Sequence, residues 1–361
     1  MEGPSVVEEP LPSLHLTELA RSSGFDLCGF ARSEPVPEEA LLPWLAGGMA
    51  ADMDWMAARS AQRLDVTRLL PGARTVIALA CNYYFPDSDP PSPIARYARG
   101  RDYHATLKDR LRVLRRKLAE QYPTVRTYGS VDTAPVMEKV WAARAGIGYV
   151  GRNGCLITEE LGSYVLLATL LVDAAVDRYA SGPSADRCGT CNLCVSACPT
   201  EAIVAEATVD ARRCLSYQTI ENRDRIPEPL RAALQDTAFG CDICQDVCPL
   251  NLSPVQADGR FAPRPISALR LRDLAALTPE EYRRLVPGTA PARAKYDGLR
   301  RNAIYALGAA RDPSAIPLLE KLCLDESELV RSAARWAKGQ IQSGPHRLSI
   351  RAACTTAPSK S

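Results

Sequence analysis

The cysteine spacing constrains this chain more than any other feature. In RCGTCNLCVSACP, Cys188, Cys191, Cys194 and Cys198 follow C-x2-C-x2-C-x3-C, and a proline closes the run. Further on, FGCDICQDVCP sets Cys241, Cys244 and Cys248 in C-x2-C-x3-C, again before proline. This is the ferredoxin pattern, in which three cysteines of a run hold one 4Fe–4S cluster and the fourth crosses to the other. Short loops let three thiolates converge on one face of a cube. On this reading Cys188, Cys191, Cys194 and Cys248 hold cluster one. Cys198, Cys241 and Cys244 hold cluster two, and its fourth ligand is Cys214, the only cysteine between the runs. Two zinc sites are the alternative. Zinc sites of this kind often include His, and His15, His104 and His346 are all remote from the runs. Cys28, Cys81, Cys155, Cys323 and Cys354 show no ligand spacing, and Cys28 and Cys81 read as small core residues.

Thirteen cysteines could form disulfides only in an oxidising compartment. The N-terminal stretch has no basic start followed by an apolar core, so no secretory signal is expected. The longest apolar run, Tyr164 to Val172, is too short for a membrane span. A cytoplasmic chain with reduced thiols and no membrane partner is therefore expected. The net charge of +2 is uneven. Residues 259–347 carry 16 Lys and Arg against 9 Asp and Glu, a local excess of +7. That excess is a hint of a polyanionic partner, or simply a solvated helical face.

The chain divides into three parts by pattern. Residues 1–180 alternate helix and strand signals and read as an α/β domain. FDLCGFA, RTVIALACNYY, VRTYGSVD and SYVLLATLLV are its strands. Leu107, Leu111, Leu114 and Leu118 form one face of a helix. PVMEKVWAARAG reads as a helix with Pro135 in its first turn and Gly146 as its stop. Residues 181–255 form the cluster region, a ferredoxin-like insert. In residues 256–345, LRRNAIYALG and VRSAARWAKG align at a 31-residue offset, pairing Arg300 with Arg331, Ala303 with Ala334, Tyr305 with Trp336 and Gly308 with Gly339. This is the period of HEAT-like helical repeats. Two partial copies cannot bury a core alone, so this part must pack on the rest. Residues 346–361 read as a disordered tail.

Taken in order, RLDVTRLLPGARTVIALA, ARYARGRDYH, VDTAPVMEKVWAARAGIGYVGRNGCLI, LGSYVLLATLLVD, DARRCLSYQTIE and the two cysteine runs resemble the epoxyqueuosine reductases. The resemblance implies an oxidoreductase that reduces epoxyqueuosine to queuosine at the wobble position of transfer RNA. It implies cob(II)alamin fed by two 4Fe–4S clusters, with an N-terminal cobalamin domain, a ferredoxin-like domain and HEAT-like repeats. The expected partners are the anticodon stem-loop of tRNA and an electron donor such as a flavodoxin or ferredoxin system. Asp132 is implied as the proton donor, with a raised pKa. Arg59, Tyr97, Asp132, Lys139, Asn153, Ser216 and Gln218 are implied as cofactor contacts.

Each of these positions has a plainer reading. Asp132 suits a helix N-cap. Lys139, two helical turns on, suits a solvated lysine, and the family usually has Arg there, which alone offers a bidentate fork. The corrin-binding motif D-x-H-x-x-G is absent, and His104 reads as a local hydrogen-bonding group, not a cobalt ligand. Two other functions use the same cofactor logic. A reductive dehalogenase would be expected to carry an export signal and no helical repeats. A non-catalytic ferredoxin-type carrier would hold iron and sulfide but no cobalt.

Overall fold

The computed structural model describes residues 9–343. His346, Cys354 and the expected tail lie outside them. Eight strands are present among the described residues: β1 Leu27–Arg32, β2 Thr75–Asn82, β3 Thr127–Ser130, β4 Tyr149–Val150, β5 Leu156–Ile157, β6 Val165–Val172, β7 Ile203–Ala205 and β8 Thr208–Val209. The main sheet has the order β1-β2-β6-β3, and every pairing in it is antiparallel. β2 is buried along its whole length because both faces are covered. Ile77, Leu79 and Cys81 point to one side and Val76 and Ala78 to the other, the period-two alternation of a strand.

Leu107, Leu111, Leu114 and Leu118 of the helix Tyr103–Gln121 cover the first side, together with Leu16 and Leu19 of the helix Ser13–Arg21. The second side is covered by the helix Glu138–Arg144 through Trp141, Ala142 and Ala143, with Val66 and Leu70 beside it. That helix seats closely because β1 has Gly29 beneath its C-terminal end. A Cβ there would come within 2.2 Å of the Ala145 carbonyl oxygen. The helix begins at Glu138 with Met137 as N-cap, not at Pro135 as its sequence suggests. Residues 131–137 are irregular instead, and Asp132 takes a left-handed backbone (φ 54°).

The C-terminal part forms the helices Lys295–Ala310, Ile316–Leu322 and Glu328–Gln342. The two aligned repeats meet directly. Tyr305 and Trp336 make an edge-to-face contact at 5.4 Å, with the Arg231 guanidinium over both rings. Gly308 is needed for this approach, since a Cβ would lie 2.6 Å from Ala337 Cα. Its counterpart Gly339 faces open space. The repeats do not bury a core alone. Their apolar face joins Ile94, Leu215, Ile226, Leu234 and Phe239 in one core. Asn302, fully buried, donates to the Thr219 and Ala238 carbonyls at 2.8 and 2.9 Å, and buried Arg301 donates to the Gln218 carbonyl at 3.0 Å. The helical part thus holds the segment between the two cysteine runs by its backbone.

Candidate active site

The seven cysteines of the two runs and Cys214 lie in two groups. Cys194 and Cys248 are each within electrostatic reach of Cys188 and Cys191. Cys214 reaches Cys198, Cys241 reaches both of these, and Cys244 reaches Cys241 and Cys214. The short helices Leu193–Ala197 and Ile243–Asp246 carry one thiol each and hold the two runs together. Burial pushes Cys214 up to about 11 and Cys241 up to about 12, and raises Cys194 and Cys248. Such thiols ionise when a metal takes up the charge. Among the described residues, no three His, Cys, Asp or Glu side chains converge on the position of a single ion. Thiolates around a cubane each meet a separate iron and need not converge, so two groups of four fit clusters better than zinc.

A ninth cysteine belongs here. Cys155 hydrogen-bonds Cys244 and is within reach of Cys248. Asn153, 6% exposed, ties this loop down by accepting from the Cys155 N–H at 3.1 Å and donating to the Cys244 carbonyl at 3.4 Å. Lys139 donates to the Gly154 carbonyl at 2.6 Å, and its charge acts on Cys155 and Cys214. Lys139 is therefore neither a plain solvated lysine nor a neighbour of Asp132 on one helix face, because Asp132 is not helical. Ser216 gives its backbone N–H to the Cys214 sulfur. Gln218 is 2% exposed and uses both ends of its amide internally, toward the Arg212 carbonyl at 2.7 Å and Asn222 at 2.6 Å. It supports this turn and does not present itself to a ligand.

Asp132 lies on the other side of the same helix start. Its carboxylate accepts from the Tyr103 hydroxyl at 2.7 Å and from His104 Nε2 at 3.0 Å, and the side chain is still 60% exposed. His104 Nδ1 meets Asp102 at 2.8 Å. An imidazole that donates from both nitrogens carries a proton on each. Burial opposes that charge, but the hydrogen bonds to Asp102 and Asp132 prevail and raise His104 to about 9. The same His104 bond, with Tyr103 behind it, holds Asp132 below the usual carboxylate range. The raised pKa expected on Asp132 is thus not found there, because the imidazolium stabilises its charged form. Nor is Asp132 a helix cap, since the helix begins six residues later. The raised carboxyl is Glu138, pushed by burial and the Asp132 charge to about 7.

Around this pair, Tyr97 packs on Tyr103 at 5.9 Å and on Phe239 at 6.4 Å, so it bridges the acid site and the loop before Cys241. Arg59 is exposed, and its side chain has no hydrogen-bond or ion-pair partner among the described residues. Arg63, one turn on and only 8% exposed, feels both Glu138 and Asp132, and its Nε has no partner. From the helical part, Arg293 pairs with Glu221 at 2.7 Å, lies 5.4 Å over the half-exposed Trp55 ring and acts on Asp132.

A family model described as epoxyqueuosine reductase QueG, DUF1730, matches residues 63–133. A 4Fe–4S double cluster binding domain matches 187–251, and HEAT repeats match 292–353. The epoxyqueuosine reductase of Gloeobacter violaceus is 44% identical over 310 residues, which cover 82% of this chain and 96% of that one. The chain belongs to the epoxyqueuosine reductase family. A Synechococcus relative of the same name is 39% identical across 88% of this chain and all of its own length. A crystal structure of epoxyqueuosine reductase with an epoxyqueuosine-modified tRNA-Tyr stem loop shares the fold at TM-score 0.85 and 30% identity, covering 91% of this chain and 89% of that one. A Bacillus subtilis structure, TM-score 0.83 at 29% identity over 91% and 90% of the two chains, has its catalytic aspartate loop swung out of the active site.

Membership makes the chain an oxidoreductase of queuosine formation and sets aside the dehalogenase and simple-carrier readings. Among the described residues no helix is long and apolar enough to cross a membrane. Sequence reasoning left out Cys155, Tyr103, Glu138, Arg63 and Arg293 as site residues. Tyr103 and Glu138 were within its reach, since both stand inside the quoted motifs. Arg63 and Cys155 stand inside those motifs too, but their neighbours come from long-range packing, and Arg293 lies outside the motifs altogether.

Proposed function

We propose that the chain reduces epoxyqueuosine to queuosine in the anticodon stem-loop of tRNA, holding cob(II)alamin between Asp132 and the second cysteine group. One observation carries this reading. The first turn of the helix Glu138–Arg144 joins the two sites, with Glu138 on the Asp132 loop and Lys139 on the loop of Cys155. The residues fit such a cofactor, which bears a phosphate and many amides. The unpartnered Arg63 Nε, within reach of Asp132, and the Arg59 side chain next to Arg63 would be donors to it, while Tyr97 offers an aromatic wall. Lys139, Asn153 and Ser216 would hold the loops under it. Cysteines 188, 191, 194 and 248 would hold one 4Fe–4S cluster, and 198, 214, 241 and 244 the other. When bound, the reduced cobalt supplies the electrons, replenished through the clusters from a flavodoxin- or ferredoxin-type donor.

The net reaction takes two electrons and two protons, breaks both epoxide C–O bonds, forms the ring double bond and releases water. At neutral pH the available proton sits on His104, not on Asp132. Asp132 relays it: the carboxylate first takes the proton from His104 Nε2 and then gives it to the substrate oxygen, and the second proton follows from solvent by the same route. Tyr103 keeps the carboxylate oriented between the two.

The RNA side is built from Arg293 and Trp55. A guanidinium and an exposed indole beside the donor suit a phosphate and a stacked base of an open loop. Removing the residues after Val286 would open the shared core, so a point variant is the cleaner test. Arg293→Ala should weaken binding of a tRNA stem-loop and lower the slope of log affinity against log salt by about one. Fluorescence anisotropy across a salt series measures both. An unchanged slope would remove Arg293 from the RNA surface.

A further inference from the structure

Glu138 accepts the Asp132 backbone N–H at 3.0 Å and the Ser130 hydroxyl at 3.1 Å through one oxygen, Oε1. These bonds tie the strand end and the left-handed residue to the first turn of the helix. A non-glycine residue at positive φ persists only where its surroundings impose it, and Glu138 is the side chain that grips the backbone at that residue. We infer that Glu138 is a positioning residue, a latch that holds the Asp132 loop in the closed, proton-delivering arrangement. The inference rests on the reading of Asp132 as donor and adds what keeps it in place.

The latch has a pH dependence with a definite sign. Charged and titratable groups face Glu138 from each neighbouring element. Asp132 is on the loop, Arg63 lies on the helix Ser60–Leu64, and His104 and Tyr103 act through Asp132 from the helix Tyr103–Gln121. With the loop closed, burial and the Asp132 charge hold Glu138 up at about 7 from an ordinary 4.5. Opening the loop wets Glu138 and takes Asp132 away, which returns it toward that ordinary value. The closed form therefore binds the proton more tightly. Closure is strongest below the ordinary value and weakens as pH rises through about 7. His104 adds a similar loss of closure, spread from its ordinary 6.5 up to about 9, so the change below about 6.5 belongs to Glu138 alone.

Amide hydrogen exchange of the peptide spanning 130–137, in cluster-loaded protein with and without cobalamin, reads the latch directly. Glu138→Ala should raise exchange there roughly ten-fold, as expected for losing hydrogen bonds worth about 1–2 kcal/mol. Queuosine formation should fall with it, while iron content stays at the wild-type level. Glu138→Gln keeps the acceptor oxygen and should restore protection to within about three-fold, since only the charge is removed. Wild-type exchange, corrected for intrinsic rates, should rise between about pH 5 and 6.5, and the Gln variant should be flat over that range. Wild-type protection in Glu138→Ala, or a Gln variant as open as Ala, overturns the latch. Failure of the donor reading is separable. Asp132→Asn keeps the backbone N–H, so it tests the donor by turnover and leaves the loop protected.

Discussion

Asp132→Asn is expected to lower queuosine formation by about a hundred- to ten-thousand-fold, the usual cost of losing a general acid. Fold, both clusters and cobalamin binding should persist, because the amide has nearly the same shape and can still accept from Tyr103. It cannot pass a proton from His104 to the substrate. The wild-type enzyme carries a matching pH signature. His104 is raised to about 9 by its two carboxylates, so its proton is fully in place well below that value and is lost as pH rises through it. Turnover under a fixed strong reductant should fall on that alkaline limb. Product measured by mass spectrometry of digested tRNA decides the matter. A variant within a few-fold of wild type would move the donor to another group, with Glu138 the nearest carboxyl.

Cys214→Ala is expected to remove cluster two and leave cluster one, so iron falls to about half and one paramagnetic signal disappears. Activity should be abolished, because the electron path to the site is cut. Cys155→Ala is the informative contrast. Cys155 touches the same group through Cys244 but lies outside the group of four, so it should keep both clusters. A Cys214 variant with full iron, or a Cys155 variant with half, would exchange the two assignments. Spacing favoured Cys214 because it lies between the runs. It was silent on Cys155, whose partner Cys244 is 89 residues away.

The same contrast describes what could be read from the sequence. β2 was legible because eight consecutive buried residues stand between turn signals, and the repeats because their glycines and aromatics recur at a fixed offset. The start of the helix after Asp132 was not. Pro135 is a favoured first-turn residue, but Glu138 reaches back to the Asp132 N–H and keeps the preceding segment out of the helix. Gln218 was singled out for its nearness to Cys214. One helical turn places it on the inward side, where its amide is consumed by Arg212 and Asn222. The pKa pattern at the acid site was illegible for a related reason. It depends on His104 and Asp102, 28 and 30 residues before Asp132 in sequence, arriving as a hydrogen-bonded chain.

The central claim is that the site around Asp132 performs a cobalamin-dependent reduction of epoxyqueuosine. It is tested most directly by single-turnover conversion of epoxyqueuosine-containing tRNA. The protein is purified without oxygen, loaded with both clusters, reduced with a strong chemical donor, and assayed with and without added cobalamin. Queuosine should form only when cobalamin is present, and the protein-bound cofactor should change its visible spectrum on reduction. Equal product without cobalamin, or no product with cofactor and clusters both fully loaded, would contradict the account.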